Sequence, residues 1–184
     1  MSNGQEPVAD SPTTQNGPSK RLLWLIGTVA AALIVVLVVL NTVDRGQLPG
    51  QEFPSQGNQH IADIGASHPD YNSDPPTSGW HVGRLARWGS YDYVLPDELL
   101  IHNMEDGGVI LWYPFGTVDE NRNHIERLEQ AARGYQRVVI APRDNLSDEF
   151  ALSAWTRLER FPVDDYDAER VRAFLEAYEG IDHH

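Results

Sequence analysis

The chain has 184 residues, no cysteine and a formal net charge of −13. The missing cysteines exclude disulfides, zinc–thiolate sites, iron–sulfur clusters and a cysteine nucleophile. The surplus of negative charge repels phosphate backbones, so nucleic acid is not expected as a partner.

An apolar run over residues 22–40 is the strongest signal in the sequence. It holds no charged residue, its only polar residue is Thr28, and as a helix it would extend about 28 Å, which suits one membrane span. It lacks the A-x-A type of ending that a cleaved signal peptide needs. Residues 1–21 are rich in small polar residues, Gly and Pro, which predicts a disordered tail. Lys20 and Arg21 directly precede the run, which predicts that this tail is cytoplasmic and that the domain lies outside the cytoplasmic membrane. The membrane, and a membrane protein within it, are the expected partners.

The part after the span divides into a stalk and a domain. Residues 41–59 are rich in Gly, Pro and Gln, which is typical of a linker, and residues 60–184 are expected to fold as the domain. The segment 61–87 opens the domain and is rich in turn-forming residues. A long irregular segment inside a compact domain usually carries function.

Residues 99–113 carry the clearest β pattern. Two apolar runs, LLIHNM and VILWY, flank an Asp-Gly pair at residues 106–107, which favours a two-residue hairpin turn. This register would pair Met104 with Val109 and would place His102 on the same strand face as Met104.

The remaining elements follow from apolar periodicity. They are a helix over about 119–133 with Asp119 as cap, a strand over 137–141, a strand over 150–156 that continues towards Phe161, and a helix from Asp165 or Asp167 to Gly180. Because strands and helices do not alternate regularly, the pattern predicts an α+β domain. The domain should contain a small, mostly antiparallel sheet and two or three helices, and one transmembrane helix should precede it.

Three stretches carry a resemblance to a known family: YNSDPPTSGWH at 71–81, HNMEDGGV at 102–109 and ALSAW at 151–155. Together they resemble the bacterial family known as domain of unknown function 3105, over roughly residues 61–178. The resemblance implies one N-terminal membrane anchor and an exported domain of about this size, and it assigns no activity. The family's second motif has His between the Glu and the Gly pair, where this chain has Asp106.

Histidines in or beside these motifs predict a metal site. Neutral imidazole suits copper or zinc, and a nearby thioether, here Met104, would favour Cu(I). His81 and His102 are the first expected ligands, followed by His68 and Glu105. No H-x-x-x-H spacing dictates the site, so each histidine could instead bond a turn carbonyl or a carboxylate.

Calcium is a further candidate ligand. Asp70, Asn72 and Asp74 copy the first half of a calcium-binding loop. Pro75 then occupies the position of the required Gly, and His81 that of the bidentate Glu, which excludes an EF-hand. A looser calcium site stays open.

Aromatic residues suggest a contact surface. Tyr71, Asn72 and Trp80 lie in the irregular segment 61–87, where they are expected to contact a ligand or partner. Trp112 and Trp155 lie in predicted strands and are expected in the core.

Three classes of function fit these patterns. The favoured one is a membrane-anchored binding domain in which segment 61–87 packs on the predicted hairpin 99–113 and holds copper or zinc. The second is a metal-free interaction module for a membrane partner. The third is a hydrolase with Ser78 as nucleophile and His81 or His102 as base, although no G-x-S-x-G turn is present.

Overall fold

The computed structural model describes Val29 and residues 48–184, and the latter form one compact unit, Leu48–His184. The predicted tail, and the predicted span apart from Val29, lie outside the described residues. None of the helices in the described part of the chain has the length and apolar character of a membrane span.

The compact unit contains a six-stranded sheet, a separate two-stranded ladder and helices on both faces of the sheet. The strands are β1 (Gln51–Glu52), β2 (His60–Ile61), β3 (His81–Val82), β4 (Gly89–Ser90), β5 (Val109–Pro114), β6 (Val138–Arg143), β7 (Glu149–Ala154) and β8 (Arg157–Pro162). The helices are α1 (Asp97–Glu105), α2 (Val118–Ala131) and α3 (Ala168–Tyr178), with a short 3-10 helix at Val163–Asp165. The order in the large sheet is β1-β8-β7-β5-β6-β4, and β2 pairs with β3.

The large sheet is mixed, so the expectation of a mostly antiparallel sheet was wrong. β6 is parallel to both β5 and β4, whereas β7 is antiparallel to β5 and β8, and β1 is antiparallel to β8. Parallel neighbours need a crossover connection, and α2 supplies it between β5 and β6. The prediction of an α+β domain with two or three helices is confirmed, because the described residues contain three α-helices.

The predicted hairpin over residues 99–113 was also wrong, because its first half is helix α1. Leu100, Ile101 and Met104 have helical spacing and are all buried. The Asp-Gly pair ends this helix instead of turning a hairpin. Gly107 has φ +76°, its N–H donates to Met104 O (3.1 Å), and the Gly108 N–H donates to Asn103 O (2.7 Å). These two bonds are those of a Schellman C-cap, which uses the same Gly signal.

The other predicted elements are present with shifted ends. Helix α2 begins after Thr117, which forms a capping box with Glu120, so Thr117 and not Asp119 is the cap. Asp167 caps α3, as one of the two predicted starts requires. The strand expected to continue towards Phe161 is instead two strands, β7 and β8, because Thr156 turns the chain at φ 62°.

The N-terminal boundary of the unit lies earlier than the sequence suggests. Residues 48–59 were assigned to a stalk, yet β1 pairs with β8, and the Tyr178 hydroxyl donates to Pro49 O at 2.5 Å. Only the part of the predicted stalk before Leu48 remains outside the compact unit.

The core has one layer on each face of the large sheet. Helices α2 and α3 cover one face, while α1 and the segment around Ala86 and Leu95 cover the other. Trp112 is fully buried, as predicted, and its indole N–H donates to Ser153 Oγ at 2.8 Å. Trp155 was expected in a strand and in the core. It lies instead in the β7–β8 turn and is half-buried.

Helix α2 also buries a titratable group, His124, against the rings of Tyr113 and Phe150. Among the described residues its Nδ1 has no hydrogen-bond partner. Burial, followed by the charge of Arg127, lowers the pKa of His124 below its usual 6.5. Below about pH 6.5 the imidazole of His124 is therefore protonated more readily in the unfolded chain than in the folded protein. The free energy of unfolding falls as the pH drops below that value.

We expect His124→Leu to flatten this pH dependence. Urea unfolding at about pH 7.5 and about pH 5.5 should show a smaller loss of unfolding free energy in the variant than in the wild type, because the variant has no imidazole to protonate at this position. Equal losses in the two proteins would contradict the assignment.

Candidate metal centre

Three short elements bring four potential ligands together. Parallel pairing of β2 and β3 places His60 directly beside His81, with ring centroids 4.9 Å apart. Helix α1 contributes His102 and Glu105, which are three residues apart and therefore share a face of the helix. His81 and Glu105 are almost fully buried, at 0% and 2% side-chain exposure, while His60 is half exposed at 52%.

The ligand atoms lie close enough together to share one ion, within 4.8 Å of one another. His81 Nε2 is 2.9 Å from Glu105 Oε2 and 3.1 Å from His102 Nδ1. Glu105 Oε2 is also 3.5 Å from His102 Nδ1 and 3.8 Å from His60 Nε2. A tetrahedron with metal–ligand bonds of about 2.0–2.2 Å has neighbouring ligand atoms about 3.3–3.6 Å apart, so His81 Nε2 would move slightly away from Glu105 and His102 on binding an ion. These four residues, hereafter the inner cluster, could hold a metal ion.

The hydrogen bond on the far side of His81 orients its ring for such a role. His81 Nδ1 lies 2.7 Å from Gly79 O, and a carbonyl can only accept, so Nδ1 carries the hydrogen. In the neutral ring, Nε2 then presents a lone pair to the Glu105 carboxylate, which is also an acceptor. A metal ion or a hydrogen shared between these two atoms makes the contact favourable. A backbone carbonyl that fixes the tautomer is the usual support of a metal-binding histidine.

The surroundings keep His102 in the form that binds metal. Burial lowers the pKa of His102, the charge of Asp106 opposes that shift, and His81 adds to it. The imidazole therefore stays neutral at pH values where an exposed histidine would begin to protonate.

The irregular segment around the site is fixed by Gln56. Its N–H donates to Ser78 Oγ (3.0 Å), its side-chain amide donates to Asp70 O (2.9 Å), and its amide oxygen accepts from the Asn72 N–H (2.8 Å). The Asn72 side chain donates to Pro54 O at 2.7 Å. Ser78, the nucleophile of the hydrolase hypothesis, is buried and uses its hydroxyl oxygen in this scaffold.

The predicted contact residues lie beside the site in structural roles. The Tyr71 hydroxyl donates to Trp80 O at 2.7 Å, and burial raises the pKa of Tyr71. Asn72 holds the segment as described above. Trp80 is exposed, at 36%, whereas Tyr71 is half-buried.

Of the predicted ligands, the structure brings His81, His102 and Glu105 together and places His68 elsewhere. His68 Nδ1 is 2.8 Å from Pro69 O, and its Nε2 is 3.9 Å from Glu98 Oε1. Met104 lies in the apolar core beneath the sheet. Residues two apart on a helix point in different directions, so the expected shared face of His102 and Met104 does not exist.

Sequence reasoning missed two histidines, His60 and His184. His60 lies before the first motif in the sequence, and only the pairing of β2 with β3 brings it next to His81. His184 Nε2 is 3.1 Å from Asp106 Oδ1, and these two residues with His102 form a second group that could hold a metal ion. Asp106 therefore faces His184, and the inner cluster is complete without it.

The fold and the site define an α+β domain with a buried His/Glu cluster. The chain belongs to the family described as "Protein of unknown function (DUF3105)", whose model matches residues 66–183. The matched region includes His81, His102 and Glu105 and leaves His60 and His184 just outside it. No curated protein and no solved structure matches the chain. The membrane anchor that the resemblance implies stays a prediction.

Proposed function

We propose that this domain binds one zinc ion through His60, His81, His102 and Glu105. The observation that carries the proposal is the contact between His81 Nε2 and Glu105 Oε2 at 2.9 Å, two acceptors that need a metal ion or a shared hydrogen between them. The four ligand atoms lie within 4.8 Å of one another, which supports an ion at this position. Such an ion would tie β2, β3 and helix α1 together through their side chains.

The donor set favours zinc over copper. Three imidazoles and one carboxylate are borderline-to-hard ligands, which suit Zn²⁺ and Cu²⁺, whereas Cu⁺ prefers sulfur. The chain has no cysteine, and Met104 points into the core. Zinc also accepts a closed, four-ligand tetrahedral site without geometric preference of its own.

The location of the domain is part of the proposal. The apolar run over residues 22–40 and the basic pair before it support a single-pass anchor that holds the domain outside the cytoplasmic membrane. An exported domain without disulfides must gain its stability from its core or from a bound ligand, and a zinc ion that links three elements would supply such a ligand.

Metal analysis with thermal melting tests the proposal. The chelator-treated protein should take up one equivalent of zinc, and zinc at about 100 times its Kd should raise the unfolding free energy by about 2.7 kcal/mol, a Tm shift on the order of 10 °C. His81→Ala should remove both the uptake and the Tm shift, while His68→Ala, a histidine outside the cluster, should keep both.

Each alternative result has a defined meaning. No uptake of zinc or copper at micromolar concentrations would refute the metal site and favour the metal-free interaction module. Uptake that survives His81→Ala would refute the ligand assignment. Uptake of copper in preference to zinc would refute the choice of metal and keep the cluster.

A further inference from the structure

The segment 180–184 folds back onto the end of helix α1. The Gly180 N–H donates to Gly107 O (2.8 Å), and the His183 N–H donates to Glu105 O (2.9 Å). Gly107 makes this close approach possible, because a Cβ there would lie 2.9 Å from backbone atoms of Ile181. The position of His184 is therefore set by backbone contacts with the helix that carries the inner cluster.

His184 completes a second ligand group next to the first. His102, Asp106 and His184 each offer a ligand atom, and these atoms lie within 4.8 Å of one another. The ring centroids of His102 and His184 are 5.9 Å apart. His102 belongs to both groups, so the two possible ion positions are neighbours.

The two groups differ in their access to solvent. The side chains of His184 and Asp106 are 49% and 29% exposed, whereas His81 and Glu105 in the inner cluster are exposed by 0% and 2%. A hydrated ion can reach the outer group directly. In the inner cluster only His60 is open to solvent, at 52% exposure, so an ion must lose its water to reach His81 and Glu105.

We propose that His184, Asp106 and His102 form an outer capture position from which a metal ion passes to the inner cluster. This inference rests on the proposed function, because it describes how the same zinc ion enters. The ion first binds the outer group with water as a further ligand, and it keeps His102 while His81, Glu105 and His60 replace Asp106, His184 and that water. Each step exchanges one ligand or water for another, so the ion is never stripped of all its ligands at once.

The charge and geometry between the two positions support this route. Glu105 Oε1 lies 3.8 Å from His184 Nδ1, while Oε2 of the same carboxylate belongs to the inner cluster. The Asp106 carboxylate thus places negative charge at the outer group, and the Glu105 carboxylate places it at the inner cluster. Clefts lined by one sign of charge raise the local concentration of counter-ions and the rate of association.

Stopped-flow zinc transfer from a colorimetric chelator to the intact, metal-free protein tests the route. His184→Ala and Asp106→Asn should slow zinc association by about tenfold or more. Dissociation should slow to the same degree, so one equivalent still binds with little change in Kd. His183→Ala is the matched control, because it removes an imidazole from the same segment that stacks on Trp155 and joins neither group. Its association rate should equal that of the wild type.

The outcomes separate this inference from the proposed function. Association rates of His184→Ala and Asp106→Asn equal to those of the wild type, with one equivalent still bound, would overturn the capture position and leave the inner site intact. Slowing by His183→Ala to the same degree would overturn it as well, since only the order of the segment would then matter. Failure of the wild type to bind zinc at all would overturn both proposals.

Discussion

Glu105→Gln should lower the zinc affinity of the domain by more than about 100-fold, beyond the loss that follows removal of an outer-shell partner. The substitution keeps the shape of the side chain and removes the only negative charge in the inner cluster. Its oxygen would still accept, but an amide is a far weaker ligand for Zn²⁺ than a carboxylate. Competition with a chelator of known affinity measures the change, and the zinc-dependent rise in Tm should disappear with it.

Glu98→Gln is the matched control for that variant. Glu98 lies on the same helix, its carboxylate accepts from the Gly65 N–H at 2.9 Å, and it approaches a histidine outside the cluster, His68. The same change of charge there should leave zinc affinity unaltered. An equal loss in both variants would show that net charge, and not ligation, governs binding.

Glu105→Gln also distinguishes a metal ion from a proton between His81 and Glu105. If His81 were doubly protonated and paired with Glu105, breaking that buried pair would destabilise the metal-free protein by about 3–5 kcal/mol. If the cluster is built for a metal, Glu105→Gln should be at least as stable to urea as the wild type once both are treated with chelator, because the Gln amide can donate to His81 Nε2. A large loss of stability in the metal-free variant would favour the ion pair and refute the metal site.

Local sequence signals predicted the elements whose apolar residues repeat regularly. Helix α2 and helix α3 each combine a capping residue with apolar residues at helical spacing, and both are present. The strand prediction for the first half of segment 99–113 was wrong because the sequence signals there are ambiguous: a short apolar run fits a strand or a buried helix. The Asp-Gly pair that follows suits a hairpin turn and also a Schellman cap. Burial of Leu100, Ile101 and Met104 against the sheet decides for the helix.

The residues of the metal centre also fall into those that local sequence signals predicted and those that they missed. Residue type alone pointed to His81, His102 and Glu105, because imidazole and carboxylate side chains in the two motifs are common metal ligands. His60 and His184 could not be found from local spacing, since each joins the site through contacts with residues far away in the chain. β2 must pair with β3 to bring in His60, and segment 180–184 must return to helix α1 to bring in His184.

The buried amide of Asn103 holds together the two elements that carry most of the site. Its Oδ1 accepts from the Ala86 N–H at 2.9 Å, and its Nδ2 donates to Ala86 O at 3.0 Å. Asn103 is fully buried and Ala86 is 5% exposed, so water cannot replace these bonds in the folded protein. Ala86 follows β3 with His81, and Asn103 stands next to His102 on helix α1.

Asn103→Ala should therefore destabilise the domain by about 2–6 kcal/mol, because it leaves a buried N–H and a buried C=O without partners at a cost of about 1–3 kcal/mol each. Asn121→Ala is the control: Asn121 is also buried, but its Oδ1 accepts one bond, from the Gly116 N–H at 2.9 Å, at the start of helix α2. Asn121→Ala should lower the free energy of unfolding by about half as much as Asn103→Ala and should leave zinc binding unchanged.

The two variants should differ most in how they respond to zinc. Asn103→Ala loosens helix α1 against β3, so part of the binding energy must be spent on restoring the ligand geometry, and zinc affinity should fall together with stability. Asn121→Ala loosens a helix on the opposite face of the sheet and should gain as much stability from zinc as the wild type does. Urea unfolding with and without zinc measures both effects. Equal stabilisation of the two variants by zinc would show that the Asn103–Ala86 contact supports the fold and not the metal centre.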